Sequence, residues 1–454
     1  SQVYIGNLLT HENRYDGMRM IDDPAFCIAE LVNEPHTPDV DDPEAPFHQY
    51  YALWLKSKSL SDAAENFQLW RKEYTLEYIN QMCDFLERLG CRAPVAWSHK
   101  WSMAIRHNGG DAEWLASLAS KVPAVCFSTY PTQGTVYNYV RDAEKDLRKL
   151  GMEHNSLPYL QDAYEQHDLQ GWANEAAFRN KAHYVYEWET HANMSSYMYP
   201  AMAKYFRAQG AQIATMWTYI LPKLSNFIAA QHLLNLKSTP GKSASFIAAG
   251  EVFRKTSLYQ PYATSGRDED YSQNVALDFK EQSSAYADDT TLVYSGDMPP
   301  RYVEQLLTPE RLARGFELIR GVGDSPLVQY DGTGLYFVDF KPSGEVRVEI
   351  LPDCEWLRSP VTGGKMLDAN GEAPVSDDPP YASPQEYYAI ARKYQKQVSN
   401  RYITEVEHVM TLAAPNLPSS PKVYRIEGAE FRPVDLLGSA PLRFMAKPGS
   451  YRIQ

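Results

Sequence analysis

The stretch DDPAFCIAELVNEP, residues 22–35, is an apolar run that ends on an amide, a carboxylate and a proline. The run has the length and composition of a buried strand, on which residues two apart share a face. One face of this strand carries Phe26, Ile28, Glu30, Val32 and Glu34. Proline cannot continue a central ladder, so we expect the strand to end there, with Asn33 and Glu34 at its carboxyl end.

Short apolar runs of this kind recur through the first 250 residues and alternate with amphipathic stretches. The runs predict six strands, over residues 3–9, 26–34, 93–98, 124–130, 182–189 and 211–220. Helical periodicity predicts helices over residues 61–90, 135–151 and 195–210. Strands that alternate with helices are typical of a parallel sheet, either doubly wound or closed into a (β/α)₈ barrel.

The polar residues favour the barrel, because barrels carry their active sites at the carboxyl ends of the strands. A doubly wound nucleotide-binding enzyme is disfavoured, since no glycine-rich phosphate loop follows the first strand. We therefore predict an α/β fold, a (β/α)₈ TIM barrel over residues 1–250 that begins at about the third strand. The chain opens without Met, which suggests a mature or trimmed product. We expect a separate or removed N-terminal segment to supply the first two strands and complete the barrel.

The pattern changes after residue 250. Residues 259–273 are polar, so 251–330 are assigned to a linker and the start of an accessory region. Alternation at period two with glycine turns predicts antiparallel strands within 290–296, 325–340, 344–352 and 441–454. We expect a β-sandwich-like accessory domain over 331–454, with a helical insert over 383–410.

Composition excludes several classes of protein. The net charge is −13 without a block of Lys and Arg, which argues against a nucleic-acid partner. The five cysteines are an odd number and lack metal-ligand spacing, so we expect no disulfide framework, no metal and no cofactor. No apolar run is long enough to span a membrane. The 32 Tyr, 16 Phe and 9 Trp could supply the rings on which sugar faces stack.

A second predicted strand also ends in carboxylates, in HYVYEWETHA at residues 183–192. Strict alternation places Val185, Glu187 and Glu189 on one face. Two parallel strands that each end in Glu can aim both carboxylates at one cleft. Glycoside hydrolysis needs such a pair, one to protonate the leaving oxygen and one to attack the sugar or activate water.

These motifs resemble clan A of the glycoside hydrolases, the retaining (β/α)₈ enzymes that include cellulases, mannanases and β-galactosidases. The resemblance covers residues 1 to about 240 and rests on DDPAFCIAELVNEP, VCFSTYP, HYVYEWE and ATMWTY, which come in the order of the fourth, sixth, seventh and eighth strands. It implies that Glu34 is the acid/base and Glu187 the nucleophile.

The resemblance also implies substrate contacts. Asn33 would contact the hydroxyl beside the anomeric carbon, Tyr130 would donate to the nucleophile, and Trp217 would floor the subsite nearest the scissile bond. Ser128 stands where many relatives have a His. Further candidate substrate contacts are Trp188, Glu189 and His36. Glu189 is also an alternative nucleophile, although the aromatic residue that follows Glu187 fits the family pattern better.

The sequence thus predicts a retaining glycoside hydrolase that cleaves β-glycosidic bonds of a poly- or oligosaccharide. Two alternatives keep the same fold: an exo-acting enzyme of the β-galactosidase type, and a non-catalytic carbohydrate-binding protein on a degenerate barrel. The resemblance implies a secreted, periplasmic or cell-surface location.

Overall fold

The computed structural model describes residues 2–33, 35, 46–98, 111–131, 155–166, 169–190, 196–227, 234–272, 274–356 and 401–454. By its contacts the chain divides into two units. The first unit is Ser1–Thr129, Asp162–Trp188 and Phe206–Met216. The second unit is Tyr130–Gln161, Glu189–Tyr205 and Trp217–Gln454. The predicted domain boundaries near 250 and 330 stay predictions.

The helices of the described residues are, in chain order, α1 (Gln2–Thr10), α2 (Phe47–Lys58), α3 (Ala64–Leu89), α4 (Asp111–Ala119), α5 (Leu157–Glu165), α6 (Met198–Ala208), α7 (Pro240–Lys255), α8 (Pro300–Leu306) and α9 (Pro309–Arg314). Short 3-10 helices cover Met20–Asp22, Gly171–Asn174, Ala176–Phe178 and Pro222–Phe227. The predicted helices 61–90 and 195–210 are confirmed as α3 and α6, and 135–151 lies outside the described residues. None of the helices within these ranges is long and apolar enough to cross a bilayer.

The first unit contains a five-stranded parallel sheet in the order of the sequence. Its strands are β1 (Ala29–Glu30), β2 (Val95–Ser98), β3 (Ala124–Thr129), β4 (Ala182–Trp188) and β5 (Ala211–Met216). They confirm five of the six predicted strands and the α/β class, although β1 is much shorter than predicted. A closed barrel of eight would need three strands more than the described residues supply.

The predicted first strand, residues 3–9, is wrong, because these residues form helix α1. A short apolar run is compatible with both a strand and a buried helical turn. The run pairs Tyr4 with Leu8 and Ile5 with Leu9 at a spacing of four, which a helix brings together.

The two faces of the five-stranded sheet differ in what covers them. One face carries Cys126 with Ala96, Ala124 and Tyr186, and we call it the Cys126 face. The opposite face is covered by helical segments, because Phe127 meets the Trp172 ring edge-on with centroids 5.9 Å apart. Trp172 in turn contacts Phe178 at 5.2 Å. The Cys126 face is therefore the one that remains for a site.

The second unit contains two sheets that share one hydrophobic core. The ten-stranded sheet runs in the order β18-β17-β21-β13-β12-β10-β9-β8-β7-β6, and the four-stranded sheet in the order β11-β16-β20-β19. Strands β14 and β15 pair antiparallel in a separate two-stranded sheet. The strands are β6 (Glu269–Ser272), β7 (Val275–Asp278), β8 (Ser283–Ala287), β9 (Thr291–Ser295), β10 (Leu318–Val322), β11 (Val328–Tyr330), β12 (Tyr336–Phe340), β13 (Val346–Ile350), β14 (Asp353–Trp356), β15 (Arg401–Thr404), β16 (His408–Leu412), β17 (Val423–Glu427), β18 (Glu430–Val434), β19 (Leu436–Ser439), β20 (Leu442–Ala446) and β21 (Gly449–Ile453).

Most of these strands pair antiparallel, as predicted, but β9 and β10 pair in parallel. Two further corrections concern the predicted boundaries. Strand β6 lies inside the predicted linker 259–273. The predicted helical insert 383–410 ends in strands β15 and β16, and residues 383–400 lie outside the described part. The helical reading fails at this end because β16 pairs with β11 and β20, and its Met410 and Leu412 are fully buried between them.

Helix α7 packs against β8 and β9 of the larger sheet. Its buried side chains are mostly small, among them Ser245, Ala248 and Ala249. Ser245 Oγ lies 2.9 Å from Ser284 Oγ on β8, so the helix approaches the sheet closely enough for hydroxyls to bond. This contact holds the N-terminal half of α7 against the sheet.

The sandwich has no room for a side chain at Gly334. A Cβ there would lie 2.1 Å from the carbonyl oxygen of Leu351. We expect Gly334→Ala to lower the free energy of unfolding by about 3 kcal/mol. Gly250→Ala is the matched control, because a Cβ on this residue of α7 meets only ordinary contacts and should stabilise the helix by about 0.5–1 kcal/mol. Urea unfolding measures both, and equal effects from the two variants would contradict the argument.

Candidate functional site

The carboxyl ends of the five parallel strands lie along one edge of the sheet in the first unit. Strands β2 to β5 end on Ser98, Thr129, Trp188 and Met216. Glu187 is the last residue but one of β4, and Asn33 lies three residues after the end of β1. Asn33 is exposed, whereas Glu187 is only 8% exposed. Glu34 and His36 lie outside the described residues. This edge therefore carries one predicted catalytic carboxylate, Glu187, and two predicted substrate contacts, Asn33 and Trp188.

A bulge in β4 turns Glu187 toward the Cys126 face. Val185 pairs with Phe127, but the next pair joins Glu187 to Ser128, so β4 has one residue more than β3 over this interval. The pairing with β5 shifts in the same interval. A bulge re-aims the side chains that follow it. The expectation that Val185 and Glu187 share a face is therefore wrong, because Val185 stays opposite Phe127 while Glu187 moves to the face of Ser128 and Cys126.

The end of β3 beside Glu187 is held by a buried glutamine. Gln170 Nε2 donates to the Ser128 carbonyl oxygen at 2.5 Å, and Thr129 Oγ1 donates to Gln170 Oε1 at 3.1 Å. Gln209 Nε2 donates to the Gln170 carbonyl oxygen at 2.9 Å. Sequence reasoning missed Gln170, since a single glutamine in a loop carries no pattern.

Ser128 offers an unused polar group at this position. Its hydroxyl is buried and has no hydrogen-bond partner within the part of the chain that the structure describes. Such groups are rare in proteins and are normally satisfied by water or a ligand. Ser128 follows Phe127 on β3 and therefore lies on the opposite face of the sheet, the face of Glu187, with which it pairs.

Glu30 lies deeper on the same face, next to Cys126. Burial raises the pKa of the Cys126 thiol well above its usual value, and the nearby Glu30 carboxylate raises it further. The thiol therefore stays protonated and unreactive. This environment is consistent with a structural role for Glu30, the last residue of β1.

Three strand spacings separate β1 from β4 in the sheet. At ~4.8 Å per spacing the two backbones lie about 14 Å apart along the sheet. Glu187 is the last residue but one of β4.

Glu189 lies in the second unit, in a fully buried ionic cluster. Glu189 and Lys242 form an ion pair in which both side chains are at most 1% exposed. Tyr199 also donates to Glu189 Oε1 at 2.5 Å, and the Lys242 Nζ lies 5.6 Å from the centre of the Tyr199 ring. Burial raises the pKa of the Tyr199 hydroxyl well above its usual value, and the Glu189 charge adds to this effect. The cluster favours a structural role for Glu189, and its predicted contact with substrate remains untested.

The predicted aromatic contacts differ in exposure. Trp217 and Tyr219, in the second unit, are 50% and 47% exposed. The peptide bond between Trp217 and Thr218 is cis. Tyr130, also in the second unit, is half-buried. Trp188 in the first unit is 3% exposed and packs edge-on against Phe206 at 5.3 Å, which favours a packing role.

No side-chain cluster suited to a metal ion occurs in the described ranges. The described side chains at the sheet edge include a carboxylate, an amide and hydroxyl groups, which can attack a carbon atom or bond the hydroxyls of a ligand.

No protein-family model and no curated protein matches the sequence. Among solved structures, the chain is similar to an endo-β-1,4-mannanase from Thermotoga petrophila, with a TM-score of 0.37 and 11% identity over 98% of this chain and 70% of that one. It is also similar to a mutant of a glycoside hydrolase family 5 mannosidase from Rhizomucor miehei, with a TM-score of 0.33 and 10% identity over 56% of this chain and 59% of that one. Likeness at this level does not establish a shared function.

Proposed function

We propose that this protein is a retaining glycoside hydrolase that cleaves β-glycosidic bonds of a poly- or oligosaccharide. The observation that carries the proposal is the placement of Glu187. It is a largely buried carboxylate at the carboxyl end of a parallel strand, and a bulge turns it toward the face that carries Ser128. Parallel α/β sheets bind their ligands at this edge.

In the proposed reaction Glu187 attacks the anomeric carbon while Glu34 protonates the leaving glycosidic oxygen. The bond to the leaving sugar breaks as the ester bond to Glu187 forms. Glu34, now a carboxylate, then removes a proton from water, and the water oxygen displaces Glu187 from the anomeric carbon. Two inversions at that carbon restore the β configuration.

Four residues are proposed to hold the substrate. Asn33 and the unpaired Ser128 hydroxyl would bond sugar hydroxyls, and Tyr130 would donate to the nucleophile. Trp217 follows the last residue of β5 and presents half of its surface to solvent, so it would stack on a sugar ring.

Glu187 is the proposed nucleophile rather than Glu189 for an electrostatic reason. The Glu189 carboxylate is neutralised by Lys242 and bonded by Tyr199. A carboxylate in such a cluster would have to break a buried ion pair in order to attack a sugar. Glu189 therefore fits the role of anchoring the segment after β4.

We also propose that further β/α units complete a closed barrel. Strands β1 and β5 each have one neighbour among the described strands, so both edges of the sheet can accept another strand. A closed barrel would give the carboxyl edge the walls that a sugar site requires. A secreted, periplasmic or cell-surface location fits such an enzyme.

We expect the protein to release oligosaccharides from at least one β-linked polysaccharide in a plant and algal panel, with masses read by mass spectrometry. Proton NMR should show the β anomer of the new reducing end first, because the proposed reaction retains configuration. A series of oligosaccharides would indicate endo cleavage, whereas release of single sugars would favour the exo-acting alternative. An α anomer formed first would contradict retention, and binding without any product would favour a non-catalytic sugar-binding protein.

A further inference from the structure

A short loop in the second unit presents apolar side chains to solvent. It runs from Trp217 to Ser225, and its large exposed residues are Trp217, Tyr219, Leu221 and Leu224. Each of these is between 42% and 51% exposed. An exposed cluster that contains two aromatic rings is typical of a binding surface. We call Trp217 and Tyr219 the aromatic platform.

A buried asparagine ties this loop to the start of α7. Asn235 is 0% exposed, and its Nδ2 donates to the carbonyl oxygens of Ile220 at 2.9 Å and Leu221 at 3.2 Å. Its Oδ1 accepts from the backbone amides of Lys237 and Ser238, both at 2.9 Å. The side-chain amide therefore uses both of its donor hydrogens on the loop and its acceptor on the turn before α7.

Two backbone bonds and two side chains strengthen this connection. The Leu234 amide donates to the Thr218 carbonyl oxygen at 3.1 Å, and the Ile220 amide donates to the Leu234 carbonyl oxygen at 2.9 Å. Ser225 Oγ donates to Asn235 Oδ1 at 3.0 Å. The Asn235 amide donates to Thr239 Oγ1 at 2.9 Å, directly before Pro240 opens α7. The loop is thus bonded to a helix that is itself packed on the sandwich.

We propose that Asn235 is a positioning residue, which fixes the aromatic platform so that it binds the sugar substrate in one orientation. The inference rests on the proposed function and deepens it, since the ligand of the platform is the carbohydrate chain. Exposed apolar rings tend to fold back onto the protein, and a rigid backbone prevents this. A platform held in its binding conformation also loses less freedom when a sugar binds.

The Asn235 side chain donates hydrogen bonds through its nitrogen and accepts them through its oxygen, so a substitution can remove the first function and keep the second. Asn235→Asp keeps the oxygen that accepts from Lys237 and Ser238, but it loses both donors to Ile220 and Leu221 and sets an oxygen against their carbonyls. We expect KM to rise by about 10-fold, from lost preorganisation, with kcat within about 2-fold of wild type. Asn416→Ala is the matched control, because Asn416 Nδ2 ties another loop of the second unit to the Phe316 carbonyl oxygen at 2.8 Å.

A double-mutant cycle separates positioning from general stability. If Asn235 acts through the platform, adding Asn235→Asp to a variant that lacks both rings, Trp217→Ala with Tyr219→Ala, should change KM no further. The inference would be overturned if Asn235→Asp raised KM by the same factor in wild type and in the variant that lacks the platform rings. It would also be overturned if Asn416→Ala raised KM as much as Asn235→Asp does. If Asn235→Asp fails to fold, Ser225→Ala removes a single bond to Asn235, and an unchanged KM in that variant would count against the inference.

Acrylamide quenching of tryptophan fluorescence keeps the inference separate from the proposed function. The difference between wild type and Trp217→Phe isolates the Trp217 signal. Asn235→Asp should change the quenching of this signal by about 2-fold or more, whether or not the protein hydrolyses sugars. If wild type does not hydrolyse sugars but Asn235→Asp still changes the quenching, only the proposed function is contradicted. If the quenching is unchanged, the positioning role of Asn235 is contradicted.

Discussion

Glu187→Ala should lower kcat for an activated aryl β-glycoside by about 10⁴-fold or more, because the variant lacks the group that forms the covalent bond. Sodium azide should restore turnover, since the small anion can occupy the space of the missing carboxylate and attack the anomeric carbon. The product should be an α-glycosyl azide, because one inversion replaces two. Steady-state kinetics and NMR of the product measure both effects.

The matched control is Glu189→Gln, which keeps the shape of the neighbouring carboxylate. This variant should lose stability, but azide should not change its rate. Azide rescue at position 189 together with an azide-insensitive Glu187→Ala would contradict the assignment and make Glu189 the nucleophile. Normal hydrolysis by Glu187→Ala would remove the catalytic role of the sheet edge altogether.

Lys242→Met should lower the free energy of unfolding by about 3–5 kcal/mol, because it leaves the Glu189 carboxylate buried without its counter-charge. Lys242 and Glu189 are 1% and 0% exposed, so water cannot replace the lost partner. The midpoint of urea unfolding, followed at several wavelengths, measures the loss.

The double variant Glu189→Gln with Lys242→Met removes both charges and should recover most of this stability. Part of the loss should remain, since Tyr199 then bonds a neutral acceptor. A matched surface control is Lys121→Met, whose partner Asp84 is well exposed and which should leave the midpoint of urea unfolding almost unchanged. A loss for Lys242→Met as small as for this control would show that the cluster does not anchor the segment after β4.

Strands of the first unit could be predicted from the sequence because each is a short apolar run with a break on either side. Strands β2 to β5 start within two residues of their predicted positions. The run at residues 3–9 failed because length and apolarity alone do not separate a strand from two helical turns. The end of the predicted insert failed because β16 is a strand only through its partners β11 and β20.

At the candidate site the sequence predicted that Glu187 ends a strand, but not the face on which it lies. Strict alternation cannot foresee the extra residue in β4, because a bulge depends on the register of both neighbouring strands. Gln170 and Asn235 were also beyond sequence reasoning. Their side chains bond mainly to backbone atoms, and a bond to a backbone atom leaves no trace in the identity of the partner residue.

Trapping of the glycosyl-enzyme tests the nucleophile most directly. The protein would be incubated with 2-deoxy-2-fluoro-β-glycosyl fluorides of mannose, glucose and galactose. The fluorine at C2 slows both formation and hydrolysis of the ester, but the good leaving group speeds formation alone, so the ester accumulates. Digestion and tandem mass spectrometry then locate the added sugar. The account predicts one sugar per chain, attached to Glu187. A sugar on Glu189 or any other residue, or turnover of a natural substrate with inversion of configuration, would contradict it.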